Sequence, residues 1–318
     1  MTNNNPPENS ADSQALLNRI VIEFMREQRR KRIWRWIYRI VFLLIILWIV
    51  LQIVAFRAEE KTERHKPHVG IVDVKGKIFE SEPASADNLL KSLEKAYENK
   101  KMRALVIRID SPGGSPVQAD YMYNTIRYYR QKFPNIKVYA VCMDACASAA
   151  YYVAVAADKI YANPSSLVGS IGVLYNGFGF VDTLQKIGVT RRLAISGKNK
   201  GFLDPFSPIQ PGQDQLLQTM LTIVHQQFID KVKEGRGDRL KIDDDTFSGL
   251  YWTGIQAKDR GLIDGFASAG QIARDVVKVD KTVDYTYKES VIERIGKNIG
   301  TAMADELPTA LGIKPGLQ

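Results

Sequence analysis

The feature that most restricts what this chain can fold into is residues 36–56, an apolar run broken only by Arg39 near one end and Gln52 near the other. Its heart, residues 40–50, carries no charge. At 1.5 Å per residue, roughly 20 helical residues cross a hydrocarbon core of about 30 Å. A helix that is apolar on every side has no face to show to water, which argues against a place at the surface of a soluble domain. Arg26, Arg29, Arg30, Lys31, Arg32, Arg35 and Arg39 lie just before or within its start. Basic residues abutting such a span mark the cytoplasmic flank of a membrane, and Trp34, Trp36, Tyr38 and Trp48 suit the interfaces. The lead before the span is longer than that of a signal peptide, and no Ala-x-Ala site follows Phe56. The expectation is an uncleaved single anchor at 36–56, with 1–35 cytoplasmic, 57–68 a linker, and 69–290 a domain on the far side. Residues 291–318 form a C-terminal segment ending in a polar tail. The net charge of +9 is concentrated near the N-terminus, which points to a membrane surface rather than to nucleic acid.

Beyond the linker the pattern alternates. Strands are expected at 69–74, 104–109, 138–141, 159–162, 171–174 and 191–194. Helices are expected at 85–97, 116–132, 149–157, 180–187, 212–233 and 271–279, with a further amphipathic helix at 13–32 and shorter segments at 243–248 and 253–261. Strands interleaved with helices predict an α/β fold with largely parallel pairing. The two cysteines, Cys142 and Cys146, have neither CxxC nor metal-ligand spacing and are read as small buried fillers. No metal or cofactor is expected.

Ser148 stands where an apolar β-rich run (138–141) gives way to an Ala-rich helical one. There it is either an ordinary N-cap or a nucleophile, held where unpaired amides and a helix dipole face a developing oxyanion. The turn Asp110-Ser-Pro-Gly-Gly114 follows another strand. Its glycine pair allows amides to turn toward a ligand, with Gly113 and Ser115 as flanking substrate contacts. One such amide, together with one beside Ser148 such as that of Ala149, makes a candidate oxyanion hole.

A nucleophilic serine needs a base. The histidines are His65 and His68 in the linker and His225 in a long helix, so a Ser-His-Asp triad is poorly supplied. No GxSxG, Walker, Rossmann or HExxH pattern occurs. A lysine base is the remaining common solution, and the loop Ser196-Gly-Lys-Asn-Lys-Gly201 offers Lys198 and Lys200, although such a loop is equally a solvated turn.

Asp110-Ser-Pro-Gly-Gly114, Ser148-Ala-Ala-Tyr-Tyr152, Ala156-Ala-Asp158, Gly169-Ser-Ile-Gly-Val173 and Tyr251-Trp-Thr-Gly254 through Leu262-Ile-Asp264 occur in this order. As a set they resemble the signal peptide peptidase A family, serine peptidases of the S49 type, over roughly residues 69–279. The resemblance implies a ClpP/crotonase-like fold of stacked ββα units behind one transmembrane helix. It also implies a Ser/Lys dyad with Ser148 as nucleophile, Lys200 as general base, Ser170 orienting the lysine, and Gly114 as an oxyanion donor. The implied enzyme is a bacterial inner-membrane endopeptidase, single-pass with its domain in the periplasm, that cleaves remnant signal peptides and other extended apolar envelope peptides as a homo-oligomeric ring. The chain departs from the family pattern at Ala149 and Ala150, where glycines are usual, and at Phe202 in the lysine loop. Two alternatives remain, a silent S49-like scaffold or peptide-binding protein, and a crotonase-type acyl-CoA enzyme.

Overall fold

The computed structural model describes residues 9–63 and 65–289. Its chain divides at Thr62/Glu63 into two compact units.

The first unit is one helix, α1 (Asn9–Glu63), within which Phe24–Gln52 is long and apolar enough to cross a membrane. An amphipathic helix, a span and a separate linker were expected. Instead a single helix runs through 57–63, because no glycine or proline occurs between Pro7 and Pro67 to stop it. The polar tail beyond Met303 and the segment before Asn9 lie outside the described residues.

The second unit is built on a mostly parallel sheet. Its path runs β6 (Tyr251–Thr253), β5 (Leu167–Gly169), β3 (Lys137–Ala147), β2 (Met102–Ser111), β1 (His68–Lys75), β8 (Thr282–Asp284). Beside the first half of β3 lies β4 (Lys159–Ala162), which also pairs with β7 (Gly265–Phe266). Among the described residues only β5–β6 is antiparallel. The central strands are buried on both faces and read as continuous apolar runs, as parallel strands do. Val72, Val74, Leu105, Ile107, Ile109, Val138 and Ala140 point into the larger core. That core is shared with α2 (Ala86–Tyr97), α3 (Pro116–Lys132), α4 (Ala149–Ala154) and the C-terminal part of α6 (Gln213–Arg236). Alternate residues Val69, Ile71, Ala104, Val106 and Val141 pack on Ile272 and Ala273 on the other face. Two short helices, α5 (Val181–Lys186) and α7 (Gly254–Asp259), complete the regular structure that bears on the site.

Some expected elements are absent or moved. Residues 171–174 and 191–194 form no strand; the strand in this region is β5, just before the first of them. Gly169 and Ser170 adopt φ of 103° and 51°, which ends extended backbone there, and a β-rich stretch without a neighbouring ladder stays irregular. The helix expected at 271–279 is a short turn, Ala269–Gln271, followed by a π-helical segment, Ile272–Val277. Ser85 does not cap α2 through its side chain; the Ala86 N–H donates to Gln118 Oε1 at 2.9 Å instead. His68 belongs to β1 and is buried, its ring bonded to the Lys66 carbonyl and to the Tyr285 hydroxyl.

Candidate active site

The site grows from a disturbance in β3. Ile109 of β2 faces Cys142, and Ser111, two residues on, faces Cys146, so β3 carries extra residues in a bulge at 143–145. The Ala145 N–H donates to Asp110 Oδ1 at 3.3 Å, which ties the bulge to the end of β2. Past the bulge, β3 leaves β4 and takes β5 as its neighbour. Cys142 and Cys146 are free and buried, as read from their spacing, and burial pushes the Cys146 thiol well up.

Ser148 lies between Ala147, the last residue of β3, and Ala149, the first of α4. Its backbone is at φ 54°, ψ −126°, a conformation that costs a non-glycine residue about 1–3 kcal/mol. The Ser148 N–H donates to the Gly169 carbonyl at 2.8 Å, which helps hold the turn. A capping serine would accept an amide of the first helical turn, and Ser148 does not. The N-cap reading therefore fails, and the hydroxyl opens onto a pocket.

The glycine turn stands directly opposite. A Cβ on Gly113 would lie 2.8 Å from the Ser148 Cβ, and φ there is +109°, so this close approach requires glycine. The Gly113 N–H is engaged with Ser111 Oγ at 3.1 Å. Gly114 forms a parallel bridge with Ile78 in which the flanking groups do the bonding: Ile78 N–H to Gly113 O at 3.0 Å, and Ser115 N–H to Ile78 O at 2.8 Å. In such a bridge the N–H of the central residue points away from its partner strand. Gly114 and Ala149 thus both reach the pocket that holds Ser148. Ser115 caps α3, its hydroxyl accepting from the Gln118 N–H at 3.4 Å.

Ser170 follows β5 directly, with φ 51°, and its N–H donates to the Leu250 carbonyl at 2.8 Å. Ser148 and Ser170 therefore leave the ends of adjacent parallel strands. Lys200 is placed differently. It sits in an exposed turn, its N–H bonded to the Gly197 carbonyl at 3.0 Å, and it does not line the Ser148 pocket. Its loop neighbours Lys198, Asn199 and Gly201 line a separate hollow with Leu193 and Leu216. Within one chain, then, Gly114, Ser148 and Ala149 share a pocket with Gly113 packed against Ser148, whereas Ser170 stands at the end of the neighbouring strand outside that lining and Lys200 lies outside it too. His225 bonds the Ile171 carbonyl at 3.1 Å, and neither it, His65 nor His68 lines the pocket.

The pocket beside Ser148 has a volume of about 300 Å³. Pro116, Val117, Asp120 and Tyr121 of α3, Tyr152 of α4, and Val224, Gln227 and Phe228 of α6 form its walls. The α6 residues were not legible beforehand, because nothing local says which turn of a long helix will face a distant serine. Asp120 was missed although it lies one helical turn past the Ser115 cap. Its Oδ1 accepts from the Tyr152 hydroxyl at 2.9 Å.

A half-buried serine on a strained strand-to-helix turn, beside a glycine turn and sharing a pocket with Gly114 and Ala149, is an arrangement that serine hydrolases use. The comparisons narrow that class. The model for peptidase family S49 matches residues 130–284, and the Clp protease model matches residues 70–168. The chain is 33% identical over 213 residues to the chloroplastic serine protease SPPA of Arabidopsis thaliana, covering 65% of this chain and 31% of that one. It is 44% identical over 182 residues to a protein of Brucella abortus named Na(+)/H(+) antiporter NhaA, covering 57% and 25%. Among solved structures, a mutant of the 1510-N membrane-bound stomatin-specific protease aligns at a TM-score of 0.42 and 16% identity, covering 70% of this chain and 96% of that one. The chain spans about a quarter to a third of the length of these two curated relatives. The sequence matches show what residues 70–284 resemble: S49, SppA-like serine peptidases, with the ClpP-like α/β arrangement that the Clp protease match and the motifs imply.

Proposed function

We propose that this protein is a membrane-anchored serine endopeptidase with a Ser148/Lys200 dyad. Ser148 Oγ attacks a peptide carbonyl while the neutral Lys200 amine, oriented by Ser170, takes its proton. The amides of Gly114 and Ala149 receive the oxyanion, and water then hydrolyses the acyl-enzyme. Gly113 and Ser115 border the groove in which an extended peptide adds as a strand. The observation that carries the reading is the strained, uncapped Ser148 facing a glycine turn that cannot accept a Cβ.

Lys200 reaches Ser148 from a neighbouring copy in a homo-oligomer. No residue between 172 and 227 is buried, and Leu174, Phe178, Ile187 and Ile209 are exposed on that arm. Apolar surface on this scale marks an interface, and a second copy covering it would bring the lysine turn to the next serine. With α1 as a single-pass anchor in the bacterial inner membrane and its basic flank cytoplasmic, the domain works in the periplasm. Remnant signal peptides and other extended envelope peptides are then its substrates. The domain boundaries follow the same scheme: 1–35 inside, 36–56 the span, 57–68 the connection, 69–290 the peptidase.

Hydrolysis of a fluorogenic peptide and labelling by a serine-directed acylating probe test this. Ser148→Ala should lose at least about 10³-fold in rate, and Lys200→Ala should neither cleave nor label. Mixing the two inactive variants and allowing subunits to exchange should restore cleavage. Full activity in Ser148→Ala would end the proposal. A second reading, a silent S49-like membrane scaffold, is favoured by the placement of Lys200 outside the serine pocket, and absence of labelling in the assembled wild type would establish it.

A further inference from the structure

The pocket beside Ser148 is not uniformly apolar. Pro116, Val117, Val224 and Phe228 form a greasy sleeve, and Asp120 stands in its wall on α3. One carboxylate oxygen accepts from the Tyr152 hydroxyl at 2.9 Å and the other from Asn124 Nδ2 at 2.8 Å. Both partners are neutral, and together they fix the direction of the carboxylate. Among the described residues no lysine, arginine or histidine forms an ion pair with Asp120. Arg127, on the same helix, pairs with Glu234, and Lys231 of α6 pairs with Glu234 and lies over the face of Tyr123. Burial, followed by the Asp120 carboxylate, raises the Tyr152 hydroxyl above its ordinary range, so it stays a donor toward Asp120. The result is a half-buried negative charge in an apolar sleeve, with no countercharge of its own.

A charge left in that position favours a ligand that brings the opposite sign. The lining suits one shape in particular, a straight aliphatic stem against the valines and phenylalanine with a cationic head at the carboxylate. Each oxygen keeps a lone pair for a further donor, since a carboxylate offers about four acceptor positions for the two already used. The sleeve opens at the nucleophile and at the Gly114 and Ala149 amides, so its occupant is the side chain whose own carbonyl is attacked.

We infer that Asp120 determines specificity in this pocket, selecting peptides with lysine or arginine on the acyl side of the scissile bond. This rests on the proposed peptidase reading and sharpens its substrate class: within an otherwise apolar peptide, cleavage falls after a basic residue.

Two experiments on the full-length protein in detergent or nanodiscs separate failure of the inference from failure of that reading. In the first, peptides identical except for lysine, norleucine or leucine at the position before the bond are hydrolysed by wild type and by Asp120→Asn. Norleucine matches the lysine stem without the amine. The wild type should prefer lysine over norleucine, and Asp120→Asn should lower kcat/KM for lysine by about 30-fold, near the lower end for losing one partner of a desolvated charge pair. The norleucine value should hold or rise. Equal wild-type rates on lysine and norleucine, or an equal loss on both in the variant, would overturn the inference while leaving the peptidase reading intact. In the second, Ser148→Ala binds the same peptides without turnover, measured by calorimetry. Tighter binding of the lysine peptide, erased by Asp120→Asn, supports the assignment even if no peptide is hydrolysed, whereas equal binding of lysine and norleucine peptides rejects it.

Discussion

Two parts of the same unit are built to different standards. Around Ser148, α4 is buried at every residue, and the sheet beneath is covered on both faces. Along 172–227 no residue is buried, and the arm is held by local contacts such as the Phe180–Phe206 stack and the Arg191–Asp204 pair. The body can hold a strained serine because packing around it over-determines the turn. The arm, with its lysine, has no such support among the described residues, and under the proposed assembly its contribution to chemistry depends on the copy that covers it.

That contrast can be broken or sharpened by experiment. The largest effect is expected at the close contact between the glycine turn and Ser148. Gly113→Ala places a methyl against Ser148 at a φ of +109°, and should lower kcat at least about 100-fold. Unchanged kcat would show that the turn is not held as tightly as its packing implies. Next comes the ion pair beneath α6. Arg236 is 1% exposed and bonds Asp264 at 2.8 Å and the Gly261 carbonyl at 2.8 Å. Arg236→Ala should cost about 3 kcal/mol by chemical denaturation, because it strands a largely buried carboxylate with only the more exposed Arg239. In the arm the effect should change in kind. Phe178→Ser, at an exposed ring, should leave denaturation of the body within about 0.5 kcal/mol of wild type while reducing the assembled fraction in sedimentation and with it the activity. A lowered unfolding midpoint without loss of assembly would make the arm part of the body's own core.

The smallest effect concerns pH. Burial pushes the Asp264 carboxyl up, but the Arg236 hydrogen bond, the Ile160 N–H and the charges of Arg236 and Arg239 outweigh it and hold the group below its ordinary value. A carboxylate whose folded pKa is depressed contributes stability that is complete above its unfolded pKa of about 3.9 and is lost as pH falls through the lower folded value. Stability should therefore decline below about pH 4, and Asp264→Asn should flatten that limb of the profile. An unaltered acid limb in the variant would place the linkage elsewhere.

How much was legible beforehand differs between the same two parts. In the body, the apolar runs of β1, β2 and β3 and the Pro-Gly-Gly turn announced themselves locally, and Ser148 fell where strand pattern gave way to helix. Ser85 shows the limit even there, since Gln118, 33 residues later, supplies what its hydroxyl was expected to. In the arm, 191–194 looked like a strand but found no ladder. Lys200 was singled out by motif, and its own chain does not deliver it to Ser148.

By itself the sequence determined what depends on near neighbours. The single long helix follows from a run without glycine or proline, the parallel α/β order from alternating apolar periods, and the serine junction from a strand meeting alanines. Only the tertiary structure decided which distant groups share the pocket, setting Asp120 beside Tyr152 and the C-terminal turns of α6 against α4. Backbone preferences and hydrophobic period act over a few residues. Contacts between α3, α4 and α6 depend on how whole helices pack on the sheet, and no local signal encodes that.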